Sequence, residues 1–132
     1  MSIHRTLLLF VMAVLIGGSL VIGSVQAQDR LAVFMQAKLA HAEKTLEGLA
    51  REDYEEIARH SQAISLLCED ELWSVLKTPE YQQRSDEFRR SVNAITDAAR
   101  RKNLEAATLA YVDATMKCVT CHKYVRQSRG TK

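Results

Sequence analysis

Turn-forming residues are nearly missing from residues 28–132 of this chain. The stretch contains one proline, Pro79, and two glycines, Gly48 and Gly130, whereas Ala, Leu, Glu, Arg and Lys are its commonest residues. These common residues lose little rotamer freedom in a helix, so a sequence rich in them and poor in turn formers favours helix almost throughout. The sequence therefore predicts an all-α domain.

Four segments repeat apolar residues every three or four positions, which is the spacing of one buried helix face. We predict helices from about residue 29 to 47, 53 to 76, 79 to 102 and 104 to 125, followed by a polar tail, residues 128–132, outside the domain 28–127. Short connections make neighbouring helices antiparallel, so the predicted fold is an up-down-up-down four-helix bundle. The predicted inward residues are Leu31, Met35, Leu39, Ala42 and Leu46 on the first helix; Ile57, Ser61, Ile64, either Leu67 or Cys68, Leu72 and Val75 on the second; Tyr81, Ser85, Phe88, Val92, Ile95 and Ala99 on the third; and Ala107, Tyr111, Ala114, Cys118, Cys121 and His122 on the fourth.

Capping signals stand between these segments. Gly48 is predicted as a left-handed C-cap of the first helix. Asp53 and Glu56 form a variant of the capping box at the start of the second helix. Thr78 is predicted as the N-cap of the third helix, and Asn103 as a cap between the third and the fourth.

The first 27 residues have the composition of an export signal. Arg5 provides a positive charge, residues 7–16 are an unbroken apolar run, and Val25-Gln26-Ala27 matches a small-residue cleavage site. We predict that residues 1–27 are removed, which leaves a periplasmic chain that starts at Gln28 and has no stable membrane insertion. An uncleaved anchor is the alternative, since residues 7–25 are just long enough to cross a bilayer.

Near its end the chain reads Cys118-Val119-Thr120-Cys121-His122, the attachment signature of a c-type haem. Positions i, i+3 and i+4 of a helix share one face, so both thiols can bond one macrocycle while the imidazole ligates its iron. A redox-active dithiol would need a preceding strand, and a zinc site would need a second ligand pair, which Cys68, His41 and His60 do not form. The motif therefore predicts one covalent haem c.

Two further residues are candidates for this site. In an antiparallel bundle Met35, near the start of the first helix, shares the height of His122, and a thioether is an axial ligand of c-type haem iron. The alternative is that Met35 only fills the core. Arg126 lies one turn after His122, where it could pair with a haem propionate or only complement the helix dipole.

An exported four-helix bundle with this motif on its last helix resembles the class II c-type cytochromes, over residues 28–126. The resemblance is carried by Cys118, Cys121, His122 and Arg126. The family often has an aromatic residue three positions after the histidine.

This chain departs from that pattern, because it has Val125 at the position and Tyr124 one earlier. The resemblance implies His122 as the proximal ligand. It further implies either Met35 as the distal ligand, as in the low-spin electron carriers, or an open distal side that binds nitric oxide or carbon monoxide, as in cytochrome c′.

We therefore expect a periplasmic monohaem electron carrier and not an enzyme, with a gas-binding haem protein as the alternative. Redox proteins are the expected partners; family members often dimerise, so a homodimer stays open. Nucleic acid is not expected, because 18 Lys and Arg nearly balance 16 Asp and Glu. Residues 28–76 hold five basic and ten acidic groups and residues 77–132 hold twelve and six. This distribution predicts either a basic face near the motif or only ordinary solvated helix faces.

Overall fold

The computed structural model describes residues 32–69 and 78–130. In these ranges the chain forms four α-helices and no strand: α1 (residues 32–51), α2 (Tyr54–Cys68), α3 (Pro79–Arg100) and α4 (Leu104–Gly130). The prediction of an all-α domain is confirmed for the described residues. The predicted export signal, residues 1–27, and the predicted inward residues Leu31, Leu72 and Val75 lie outside the described ranges.

The chain divides into two compact units, Met1–Met35 and Gln36–Lys132, and the packing below is that of the second. Its neighbouring helices run antiparallel, because contact positions rise along one helix as they fall along the next. This packing is compatible with the predicted up-down-up-down bundle. The contacts are His41–His60 and Gly48–Ile57 between α1 and α2, Ser61–Thr96 and Glu69–Arg89 between α2 and α3, Ser91–Asp113 and Thr78–Tyr124 between α3 and α4, and Ala42–Tyr111 between α1 and α4.

Three predicted N-caps are confirmed by hydrogen bonds from backbone N–H groups to cap side chains. Such bonds satisfy donors that have no partner inside the helix. Each helix of the second unit after α1 therefore begins where its capping residue predicts. The bonds run from Glu56 N to Asp53 Oδ1 at 3.1 Å, from Tyr81 N to Thr78 Oγ1 at 3.2 Å, and from Ala106 N to Asn103 Oδ1 at 2.9 Å.

The predicted C-cap at Gly48 is wrong. Helix α1 continues through Gly48 to residue 51, and Glu52 is the residue in the left-handed region, with φ of 55°. Asp53 N donates to Gly48 O at 2.9 Å, which is the six-to-one bond of a Schellman motif. Gly48 matters for packing, because a Cβ atom there would lie 3.0 Å from Ile57 Cγ1.

Helix α4 is also longer than predicted. It continues to Gly130, so that residues 128–130 of the predicted polar tail are helical. The Ser128 hydroxyl donates to the Tyr124 carbonyl oxygen at 3.0 Å, one turn earlier. This hydrogen bond supports the last turn of α4, whereas the polar composition of these residues alone predicted a tail.

The buried face of α3 matches its predicted residues, all six of which are buried, from Tyr81 to Ala99. The predicted face of α1 is wrong in register. Leu39 and Leu46 are 59% and 52% exposed, whereas Lys38, Thr45 and Leu49 are buried. Two of the inward positions are occupied by Lys38 and Thr45. Because the prediction relied on apolar residues, it placed the neighbouring Leu39 and Leu46 on the inward face instead.

The predicted face of α4 is confirmed only in its first half. Ala107 and Ala114 are buried and Tyr111 is partly buried, whereas Cys118 and His122 are exposed. Small inward side chains let α4 approach the other helices closely. The helix also carries a stripe of exposed apolar residues: Leu109, Val112, Met116 and Val119.

Candidate haem-attachment site

The two thiols and the imidazole of the motif lie on one uninterrupted helix. Cys118, Cys121 and His122 all belong to α4, which begins 14 residues before Cys118 at Leu104. Their spacing therefore brings them to one side of the helix. This setting differs from that of a redox-active dithiol, whose attacking cysteine stands at a helix N-terminus.

The outer side of the motif forms a shallow groove of about 250 Å³. Its lining consists of Cys118, Val119, His122 and Arg126, so it combines three of the predicted site residues. His122 and Arg126 are both exposed, one helical turn apart. The imidazole and the guanidinium can therefore act on the same bound group.

The inner side of the motif faces a buried amine. Lys38, on α1, is 8% exposed, and its Nζ atom lies 4.2 Å from the centre of the Phe88 ring on α3. Its ammonium group interacts electrostatically with Cys68, Cys118 and Cys121. The structure thus gathers three cysteines and one lysine from three helices. The sequence gives no sign that Lys38 is buried, because a lysine between Ala37 and Leu39 has the pattern of an ordinary solvated position.

Desolvation controls the protonation of these groups. It raises the pKa of Cys68, Cys118 and Cys121 above the ordinary thiol value, while the Lys38 ammonium acts in the opposite direction on each of them. Desolvation also lowers the pKa of Lys38. All three sulfurs are therefore protonated thiols at neutral pH, which is not the state of a reactive redox cysteine.

Tyr124 ties the motif region of α4 to the start of α3. Its hydroxyl is hydrogen-bonded to Thr78 Oγ1 at 2.9 Å, and the Arg84 guanidinium carbon lies 5.1 Å from the centre of its ring. Glu80 holds Arg84 in place at 2.7 Å. The sequence showed Tyr124 only as an aromatic residue out of its usual register; its role follows from the contact with Thr78.

Comparison with known proteins adds no relative. No protein-family model, no curated protein and no solved structure matches this chain. The function must therefore be inferred from the residues of the site.

The donor set fits a covalent haem better than it fits a bare metal ion. Two thiols one turn apart and an adjacent imidazole are the groups that attach and ligate such a cofactor. In the described ranges, no three His, Cys, Asp or Glu residues lie together as ligands for a metal ion.

Met35 lies in the first turns of the described part of α1 and is partly exposed. It is the last residue of the first compact unit, Met1–Met35. Its role as distal ligand therefore stays a prediction.

None of the described helices is long and apolar enough to span a bilayer.

A second polar cluster lies away from the motif, between α1 and α2. The Nδ1 atoms of His41 and His60 are 2.8 Å apart, and His60 Nε2 lies 2.9 Å from Glu56 Oε2. Desolvation lowers the pKa of His41, and the charges of His60 and Arg59 lower it further. One Nδ1 atom must donate and the other accept in this contact, and the neutral form of His41 allows either role.

Proposed function

We propose that this chain is an exported monohaem c-type cytochrome of class II, a four-helix bundle that carries single electrons between redox proteins. The observation that supports it most is the placement of Cys118, Cys121 and His122 on one uninterrupted helix, with Arg126 lining the same groove. A haem bonded there would supply an iron that gains and loses one electron.

The chain's own residues have distinct tasks in this proposal. Cys118 and Cys121 would hold the macrocycle on α4 through thioether bonds, and His122 would ligate the iron. Arg126 would pair with a propionate and thereby bias the reduction potential upward. The hydrogen bond between Tyr124 and Thr78 holds this part of α4 against the start of α3, which limits movement of the site.

Several parts of the proposal depend on the resemblance and the export signal. Met35 is the distal ligand that the resemblance implies. Cleavage after Ala27 would place the mature chain in the periplasm, where thioether-bound haem is attached. Redox proteins would be its partners, and the excess of basic residues after residue 76 would favour acidic ones.

Haem attachment is tested by expressing the full-length chain for export in a host with c-type haem attachment machinery. Intact mass and a pyridine haemochrome spectrum should show a chain that begins at Gln28 and carries one covalent haem. Cys118→Ala combined with Cys121→Ala should abolish attachment. Cys68→Ala is the matched control and should keep the haem. A purified wild-type chain without covalent haem would contradict the proposal.

Electron transfer and gas binding are separated by the reaction with carbon monoxide. An electron carrier with two axial ligands should show a low-spin spectrum that carbon monoxide leaves unchanged. Rapid formation of a carbonyl complex by the reduced protein would instead establish the five-coordinate, gas-binding alternative.

A further inference from the structure

Helix α4 exposes a row of apolar side chains that α3 does not have. Leu109, Val112, Met116 and Val119 are between 55% and 72% exposed, whereas no large apolar side chain of α3 is exposed. The outer face of a bundle helix is usually polar. Single exposed apolar residues are ordinary, but several on one face form a patch that marks a contact surface.

The row has the spacing of a helix-pairing seam. Its four residues follow one another in steps of three, four and three positions, which is the a and d spacing of a coiled coil. One further step of four in each direction reaches a charged residue, Glu105 before the row and Lys123 after it, and both are exposed. We call the six residues of this row, from Glu105 to Lys123, the α4 seam. It has an apolar centre and opposite charges at its two ends.

The α4 seam is complementary to itself when two copies run antiparallel. A twofold axis at the level of residue 114 places Leu109 of one copy opposite Val119 of the other, and Val112 opposite Met116. The same axis places Glu105 opposite Lys123 at both ends, so that opposite charges flank the apolar centre. A parallel pair would instead bring each of these charges opposite a like charge.

A haem at the motif would not cover the α4 seam. At 100° per residue, the centre of the seam lies about 170° around the axis of α4 from the midpoint between Cys118 and Cys121. The neighbouring helices do not cover it either. Helix α4 contacts α3 through Asp113 and Tyr124 and contacts α1 through Tyr111, whereas the apolar residues of the seam are all exposed.

We propose that the α4 seam is a homodimer interface, in which two copies of this chain pair their α4 helices antiparallel about a twofold axis. Charge complementarity selects a second copy as the partner, because that copy supplies the opposite charge at each end of the seam. Val119 belongs both to the seam and to the groove of the motif, so the interface lies beside the candidate haem site. The interface needs no haem and is therefore independent of the proposed function.

The oligomeric state of the chain, purified after expression for export, tests this interface. The seam is about 27 Å long, which is short, so sedimentation velocity should show a monomer–dimer equilibrium with a dissociation constant on the order of 10 μM. Met116→Asp places one carboxylate from each copy in the apolar centre and should weaken dimerisation at least about a hundredfold. Leu66→Asp, at a 59% exposed position of α2, is the matched control and should leave the constant unchanged.

Three results of this experiment would overturn the proposal. The first is a wild type that stays monomeric well above that concentration, and the second is a dimer that Met116→Asp leaves intact. The third is a dimer that Leu39→Asp breaks while Met116→Asp does not, because the interface would then lie on α1, where Leu39 is also exposed. Circular dichroism of each variant shows whether the helices are retained.

Charge reversal tests the antiparallel arrangement. Glu105→Lys and Lys123→Glu each bring like charges together in their own homodimers, and each should dimerise about threefold to tenfold more weakly than the wild type at low salt. An equimolar mixture of the two variants should recover the wild-type affinity, because the two substituted side chains then face each other. Glu55→Lys, an exposed reversal on α2, controls for the change in net charge and should have no effect. Single variants that dimerise as tightly as the wild type, or a mixture that shows no recovery, overturn the antiparallel pairing.

Discussion

The two ends of the helical unit Gln36–Lys132 have cores of different chemistry. At the end where α1 turns into α2 and α3 turns into α4, which we call the turn end, the buried residues are Leu49, Ile57, Ala98, Ala99 and Ala107, each at most 7% exposed. At the opposite end, which we call the motif end, Lys38 and Cys68 are buried beside Phe88. The turn end is packed from apolar side chains and the buried hydroxyls of Thr45, Ser61 and Thr96, whereas the motif end buries an amine and a thiol.

The two ends therefore contribute differently to stability. Apolar burial contributes about 25 cal/mol for each Å² removed from water, so the turn end holds the helices together. A buried lysine costs free energy unless its charge is compensated or lost. The motif end therefore depends on the turn end for much of its stability.

The largest expected effect is at the turn end. Ile57 is fully buried, and Ile57→Ala removes three carbon atoms from a packed core. The free energy of unfolding should fall by about 3 kcal/mol, measured by urea denaturation followed by circular dichroism. Leu66→Ala, on the same helix but 59% exposed, is the control and should change it by less than about 0.5 kcal/mol. Similar losses in both variants would show that the turn end is not the main source of stability.

The same contrast explains what the sequence could predict. Helix α3 was predicted well, because Thr78 caps it and its inward positions from Tyr81 to Ala99 hold apolar or small residues. Helix α1 was predicted in the wrong register, because Lys38 and Thr45 occupy inward positions. Periodicity counts apolar residues, so it fails where polar side chains are buried.

The site divides in the same way. The motif residues could be predicted, since their chemistry depends on spacing within one helix, and the structure confirms that the spacing is helical. Lys38 could not be predicted, because its meeting with Cys68 and Phe88 depends on the packing of three helices. Likewise, the sequence at Gly48 is typical of a C-cap, whereas in the structure Gly48 lies inside α1 and packs against Ile57.

A smaller effect, opposite in sign, is expected at the motif end of the haem-free chain. Lys38→Met keeps the length of the side chain and removes a buried cation. The free energy of unfolding should rise by about 1 kcal/mol, measured in protein made without haem attachment. Lys44→Met, at an exposed position of α1, is the control and should have little effect. A destabilised Lys38→Met variant would mean that the contacts of the amine stabilise the fold by more than its desolvation costs.

The smallest expected effect concerns pH and lies between α1 and α2. The pKa of His41 is lowered from its ordinary value of 6.5, first by desolvation and then by the charges of His60 and Arg59, while the Glu56 carboxylate bonded to His60 provides the opposing negative charge. The folded state therefore prefers neutral His41. Its contribution to stability is present above pH 6.5 and is lost as the pH falls through the lower folded pKa. His41→Gln should flatten this dependence between pH 7 and about 5, measured as melting temperature against pH beside the wild type. Because His41 is only partly buried, the change should be smaller than that at Ile57 or Lys38. An identical pH profile for the two proteins would show that the protonation of His41 does not affect the stability of the fold. The differences in stability within this unit would then lie between the turn end and the motif end.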